Sequence, residues 1–353
     1  MNLKKRILVA PLNWGLGHAT RCIPIFNALI TQGFEPIIAS DGNALLLLQK
    51  EFPNLESIEL PSYNINYSKK GSHLKLKLLI NTSRILKAIK AENQMTQQLV
   101  ETHKIEGVIS DNRFGVYCKK IPSVYITHQL NVLSGSTTTL TTMLHKKAIN
   151  NFDECWVPDY EGTENLSGQL GHSETSRTTL KYIGPLSRFR KTDVEIKYNL
   201  MVLLSGPEPQ RTILETKLIL ELKDYKGNVV FVKGIIEAEQ KVTTQNNLTI
   251  YNYMTSVALE KTINESELVL SRSGYTTIMD LAKMEKKAFF IPTPGQYEQL
   301  YLAKKFKKEK IAPYGLQGNF NIENLNDFNQ FKGFSNRKSG TNYQELFSLF
   351  ERE

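Results

Sequence analysis

Between Ser271 and Ala303 the chain reads SRSGYTTIMDLAKMEKKAFFIPTPGQYEQLYLA. The apolar run Leu268–Leu270 predicts a short buried strand, and a helix follows from about Tyr275. A glycine at such a turn, Gly274, lets the backbone approach a ligand closely. The free N–H groups of the first helical turn, with Tyr275 and Thr276 in it, suit a phosphate. Asp280 follows between one and two turns into the helix, where a carboxylate can accept from both hydroxyls of a ribose. The alternative is a surface helix residue. Glu298 and Gln299 open the next helix; an acid beside an amide suits the hydroxyls of a hexose, or else forms a solvated helix start.

A second group of chemistry-bearing residues lies near the N-terminus, in PLNWGLGHATR, Pro11–Arg21. Gly15-x-Gly17 is too little for a dinucleotide fingerprint, because Thr20 stands where the third glycine belongs. His18 reads either as a catalytic or phosphate-contacting imidazole or as a residue that holds the loop at a helix start. Arg21 either reaches an acceptor phosphate or sits in solvent. Asp111, in Ser110-Asp111-Asn112 at the end of a later strand, either holds the His18 tautomer as a dyad or caps a turn. His103, His145 and His172 lack partners at ligand spacing, and no Asp-x-Asp follows a strand, so no metal site is expected.

The stretch around Gly274 resembles the donor-binding signature of nucleotide-sugar glycosyltransferases of the GT-B fold. The likeness is strongest to family 28, which includes the peptidoglycan lipid I N-acetylglucosaminyltransferase. The residues that carry it are Ser271-Arg272-Ser273-Gly274, Asp280, Pro292, Glu298-Gln299 and Ala303. The family has Glu more often than Asp at the first acid, and its peptidoglycan enzyme has Gln where Glu298 stands. The resemblance implies that Asp280 holds ribose, that Glu298 and Gln299 hold the sugar, and that the Gly274 turn with Arg272 stabilises the diphosphate. It also implies that Ser205 and Gly206 face the diphosphate and that Met254 packs on the base. Gly15, Gly17 and His18 match the family's Gly-rich loop, whose His deprotonates the acceptor. Thr127-His128-Gln129 resembles its acceptor loop, with His128 where the family has Glu.

These residues need a scaffold. Strand-like runs (Lys5–Leu12, Phe34–Ser40, Gly107–Ser110, Ser123–Thr127, Phe152–Val157) alternate with helical stretches (His18–Gln32, Asn43–Glu51, Ser72–Lys104), then the pattern restarts at Leu200. Strands separated by helices predict parallel sheets with helices on both faces. The expected fold is α/β, GT-B, with two doubly wound Rossmann-like domains facing a central cleft that closes over the substrates. Its expected parts are an acceptor-side domain over 1–157, a linker over 158–197, a donor-nucleotide domain over 198–334 and a C-terminal tail over 335–353.

Composition sets the remaining bounds. The chain has 353 residues, a formal net charge of +9 and three well-separated cysteines. A basic balance favours anionic partners. The cysteines lack metal-type spacing and read as reduced thiols of a cytoplasmic protein. The basic amphipathic stretch Ser72–Lys90 suits either a peripheral contact with the inner leaflet of the cytoplasmic membrane or a helix packed on its domain. It lacks the interleaved aromatics of a nucleic-acid groove, so no nucleic acid is expected. The activity these features imply is metal-independent, inverting transfer of a hexosyl group, such as N-acetylglucosamine. The expected donor is a UDP-linked nucleotide sugar, needing no other cofactor, and the expected acceptor is a hydroxyl on a lipid or cell-envelope precursor. An epimerase of the same fold and a non-catalytic binding module are the alternatives.

Overall fold

The computed structural model describes residues 4–63, 74–135, 138–172, 178–235, 237–335 and 341–351, with backbone only over 74–84. Two compact units result: residues 1–187 together with 339–353, and residues 188–338.

The first unit is built from β1 (Arg6–Pro11), α1 (Gly17–Thr31), β2 (Glu35–Ser40), α2 (Gly42–Glu51), β3 (Ser57–Glu59), α3 (Leu74–Thr102), β4 (Ile105–Asp111), β5 (Ser123–Ile126), α4 (Thr138–Ile149), β6 (Glu154–Val157) and β7 (Thr179–Tyr182). The sheet order is β3-β2-β1-β4-β5-β6-β7, and every pair in it is parallel. Helices cover both faces of such a sheet. That is why β1 reads as an unbroken apolar run, with Ile7, Leu8, Val9 and Ala10 all buried. The chain runs outward from β1 through β2 to β3, then returns to β4 on the other side of β1. The β1/β4 boundary is therefore the topological switch point, where this class of sheet opens a crevice at its carboxyl edge. The register aligns Pro11 with Asp111 there.

The second unit contains β8 (Tyr198–Leu203), α5 (Gln210–Glu221), β9 (Val229–Val232), β10 (Val242–Gln245), β11 (Leu248–Tyr251), α6 (Ser256–Asn264), β12 (Ser266–Ser271), α7 (Tyr275–Lys283), β13 (Lys287–Phe290) and α8 (Tyr297–Lys308). Its sheet order is β10-β11-β9-β8-β12-β13. All pairs are parallel except the β10–β11 hairpin. The switch point falls between β8 and β12. Leu200, Val202, Leu214, Leu218, Phe231, Leu270 and Phe289 form the core beneath it.

The structure adds detail to the expected parts. The stretch expected as a linker, 158–197, is structured in its first half. β7 adds the last strand of the first sheet beside β6. The buried Asp159 carboxylate accepts from the amides of Tyr160 (2.7 Å), Leu166 (2.8 Å) and Ser167 (2.8 Å), folding the loop ahead of it. The tail, which the sequence assigned to neither domain, joins the first unit from residue 339. Its α9 (Tyr343–Phe347) and the turn after it bring Phe347 and Phe350 against Phe34 and Trp156. A Cβ on Gly107 would lie 2.4 Å from the Phe350 ring, so the strand is glycine where the tail crosses it. Burying the two rings contributes about 1.5–3 kcal/mol each. The hairpin strand β10, polar and exposed along its length, was not expected. Polar residues without alternation give little strand signal.

Part of the basic amphipathic stretch lies outside the described residues: Ser72, His73 and the side chains of 74–84. Among the described residues no helix is long and apolar enough to cross a membrane.

Candidate active site

At the β1/β4 switch point, β1 delivers the chain into a short loop with Gly15 at φ +76°, a left-handed value suited to glycine. Gly17 then starts α1. His18, Arg21 and Cys22 share one face of this helix by i, i+3, i+4 spacing. All three meet Asp111. His18 Nδ1 lies 2.8 Å from Asp111 Oδ1. Arg21 donates through Nε and Nη2 to both carboxylate oxygens, a fork matched to a carboxylate. The Cys22 thiol donates to Oδ2 at 3.5 Å. The structure thus joins His18 and Asp111 and removes Arg21 from solvent; it is buried as the partner of Asp111.

Arg21 also reaches His128, with Nη1 3.1 Å from Nδ1. Guanidinium only donates, so His128 Nδ1 is an acceptor and its proton sits on Nε2. Gln129, half-buried, donates its backbone N–H to the Thr127 hydroxyl oxygen, 3.1 Å. Asn112, at φ +57°, donates to Asp111 Oδ1 (3.3 Å) and accepts from the Tyr125 hydroxyl (3.1 Å), which fixes the carboxylate from the strand side.

The electrostatics follow from this packing. Burial opposes ionisation of Asp111, but the Arg21 guanidinium outweighs it, helped by His18, and the carboxyl is held well below its usual range. Burial lowers the His18 pKa; Asp111 pulls it up, and Arg21 pushes it down again. At neutral pH the imidazole is therefore neutral. Its Nδ1–H donates to the carboxylate, and the Nε2 lone pair is left to accept a proton. His18 retains 15% side-chain exposure. Burial and the Asp111 charge raise the Cys22 thiol, which stays protonated.

A second buried charge network braces the same edge and was not expected from sequence. Arg113 donates to Glu92 (2.5 Å), Asp41 (2.6 Å) and the Pro61 carbonyl (2.6 Å). The Tyr63 hydroxyl donates to Glu92 at 2.6 Å. With Arg113 these groups come from four separate segments, around 41, 61–63, 92 and 113, so no local spacing announces them. Arg113 follows Asp111 by two residues, and its anchorage holds the β4–β5 loop in place.

The second unit carries the donor-side residues, in two groups. Gly274 is the N-cap of α7. Its φ of −73° needs no glycine, and a Cβ there would meet nothing within 4 Å, so its face is open space. Thr276, Asp280 and Glu298 are half-buried, as is Met254 in the β11–α6 loop, while Ser205 and Gly206 are exposed after β8. Gly206 has φ +104°.

The other group turns inward. The Ser273 hydroxyl donates to the Gln299 carbonyl at 2.8 Å, and Tyr275 is buried in the core face of α7. Gln299, expected on the sugar, uses its side chain on its own loop: Oε1 accepts from the Thr293 amide (2.8 Å) and Nε2 donates to Gln296 (2.9 Å). Arg272, expected on the diphosphate, is 1% exposed. Its Nη1 donates to the carbonyls of Ile291 (3.0 Å) and Pro292 (3.2 Å), and Nη2 to the Gln210 carbonyl (2.9 Å) and Gln317 (2.7 Å). The reason is topological. A side chain leaving the end of a central strand between two others meets their loops before it meets solvent.

Residues 210–330 match the glycosyltransferase family 28 C-terminal domain. An uncharacterised glycosyltransferase of Methanosarcina acetivorans is 23% identical over 317 residues, 83% of this chain and 81% of the relative. A Haemophilus ducreyi protein, UDP-N-acetylglucosamine–N-acetylmuramyl-(pentapeptide) pyrophosphoryl-undecaprenol N-acetylglucosamine transferase, is 23% identical over 184 residues, 50% of this chain and 48% of its own. Among solved structures, MurG of Acinetobacter baumannii superposes with a TM-score of 0.57 at 14% identity, covering 99% of this chain and 100% of that one. The spinosyn forosaminyltransferase SpnP gives 0.62 at 10% identity, covering 99% and 95%. With the two parallel sheets, these likenesses establish the GT-B fold. The chain is a glycosyltransferase of the GT-B type, and residues 210–330 of its second unit match the family 28 C-terminal domain.

Proposed function

We propose that the protein transfers a hexosyl group, N-acetylglucosamine or a close relative, from a UDP-sugar to a hydroxyl of a lipid- or envelope-linked acceptor. The step is a metal-independent inverting displacement and uses no cofactor beyond the donor. The acceptor oxygen forms its bond to the anomeric carbon as the bond from that carbon to the diphosphate oxygen breaks. The acceptor proton passes to His18 Nε2, and the bonding electron pair leaves with the diphosphate.

The observation that carries this reading is the state of His18. A neutral imidazole, oriented by a carboxylate that an arginine keeps ionised, is a general base poised for neutral pH. On the donor side, the open face at Gly274 leaves room for a diphosphate, and Asp280 and Glu298 are the carboxylates offered to ribose and sugar. The named donor and lipid acceptor of the Haemophilus ducreyi relative support UDP and a lipid carrier. The spinosyn rhamnosyltransferase SpnG, of the same fold, is known bound to thymidine diphosphate. A carrier lipid also fits α4, whose Leu140, Met143 and Leu144 face solvent beside Lys146 and Lys147 in its last turn. That pattern supports a cytoplasmic protein with a peripheral membrane contact.

The test is thermal stabilisation by a panel of nucleotide sugars, followed by transfer onto polyprenyl-linked and free sugar acceptors. A UDP-sugar should stabilise the wild type, and Asp280→Ala should weaken its binding about ten- to a hundredfold. A flat response across the panel overturns the assignment; transfer to free sugars alone removes the lipid acceptor.

A further inference from the structure

The carboxyl edge at the β8/β12 switch point holds two buried polar groups with unmet hydrogen-bonding capacity. Thr293 is 4% exposed, and its Oγ1 has no partner among the described residues. The Nε of Arg272 has none either. Buried polar atoms are almost always paired, and an orphan of this kind points to a missing ligand or water. A water would serve either atom in isolation; the surroundings favour an anion. All four acceptors of Arg272 are neutral, and no carboxylate forms an ion pair with it among the described residues. Burial lowers its pKa to about 10, still well above neutral, so the charge remains. A buried cation without a counter-charge is costly until an anion arrives.

The positions of the two groups converge. Thr293 follows β13, two strands from β8, yet a Cβ built on Gly206 would lie 3.8 Å from its Oγ1. The hydroxyl thus reaches across the end of β12 to the exposed loop after β8. The Gln299 side chain holds the Thr293 amide, and Arg272 holds the carbonyl of Pro292 just before it, so the hydroxyl is presented by a braced backbone. α7 begins at the same edge with neither a side-chain cap nor an acidic residue in its first turn. Nothing in that turn would repel an anion.

We propose that the Thr293 hydroxyl donates a hydrogen bond to a phosphate oxygen of the nucleoside diphosphate, with Arg272 as the positioning residue beneath it. This rests on the donor reading of the second unit and adds a contact that the sequence motif does not contain. Arg272 acts through the loops it ties together and through its unbalanced charge; Thr293 touches the ligand.

The experiment compares UDP with uridine on Thr293→Val, Thr293→Ser and Arg272→Lys, measured by calorimetry and by melting of the free protein. Valine keeps the shape of threonine and removes an unpaired buried hydroxyl. Thr293→Val should therefore melt at or above the wild-type temperature while binding UDP about tenfold more weakly, with uridine binding unchanged. Thr293→Ser should restore UDP binding. Arg272→Lys, which keeps charge but loses the fork, should melt lower and weaken UDP and uridine together. If the wild type binds UDP and Thr293→Val binds it equally well, or loses uridine in step with UDP, the phosphate contact is wrong and the donor reading stands. If neither UDP, dTDP nor GDP binds the wild type, the donor reading fails and takes this proposal with it.

Discussion

Both units place an arginine at the switch point of a parallel sheet, and the two arginines are treated in opposite ways. Arg21 meets a carboxylate fork to fork, with the pair buried between His18 and His128. Arg272 is as deeply buried but meets only carbonyl and amide oxygens. In the first unit burial holds the His18 pKa low, and the charges of Asp111 and Arg21 act on it in opposite directions. In the second the positive charge is left over. A site that must take a proton from a neutral hydroxyl needs balanced charges around a basic nitrogen. A site that must hold a leaving diphosphate is improved by a surplus of positive charge.

The largest effect should come from the balanced site. His18→Ala should cut turnover by about 10²- to 10⁴-fold while donor affinity, measured by calorimetry, stays at the wild-type value. Turnover that survives within a few-fold would end the general-base role. A smaller change tests the balance itself. Arg21 lowers the His18 pKa, so Arg21→Met should raise it. The base would then remain protonated to higher pH, and the acidic limb of the kcat/KM profile should move upward. A limb that stays in place would show that burial alone sets the imidazole. Because this variant strands the buried Asp111 charge, its folding is checked first by circular dichroism, and Arg21→Lys should show a smaller shift in the same direction.

The smallest effect concerns stability, at a group of the first unit outside the site. His145 on α4 is packed edge-on against Phe114 and Tyr125, with no partner for Nε2 among the described residues. Burial lowers its pKa from 6.5 to about 4. The unfolded chain therefore binds the proton more tightly than the folded one, and stability falls as pH drops from about 6.5 to 4. The loss should approach about 3 kcal/mol, read from denaturant midpoints across that window. His145→Leu should flatten the dependence; an unchanged slope would assign it to other groups, His18 first among them.

The donor motif shows how far spacing carries. Gly274, Asp280 and Glu298 fall at the turn and helix positions that their spacing demanded, because a strand, a glycine turn and a helix are local events. Gln299 and Ser273 belong to the same run of letters, yet they hold each other's loop and not open space. Which face of a helix is open depends on what packs beside it, and that information lies in other segments. The stretch expected as a linker, 158–197, contains the boundary between the units, but part of it is ordered for a related reason. Its polar composition is real, but one buried carboxylate, Asp159, satisfies enough backbone amides to fold the stretch against β6.

The local alternation of apolar runs and amphipathic stretches was enough to specify two parallel α/β units, since strand and helix periodicities are written in neighbouring residues. The turn glycines and the acid of the donor motif were legible on the same terms. Tertiary structure alone decided the fate of the charges. It gave Arg21 to Asp111, bound Arg113 to Asp41 and Glu92, left Arg272 without a carboxylate among the described residues and brought Thr293 beside Gly206. The cost of a buried charge depends on what stands within a few ångströms of it, and those neighbours come from distant parts of the chain.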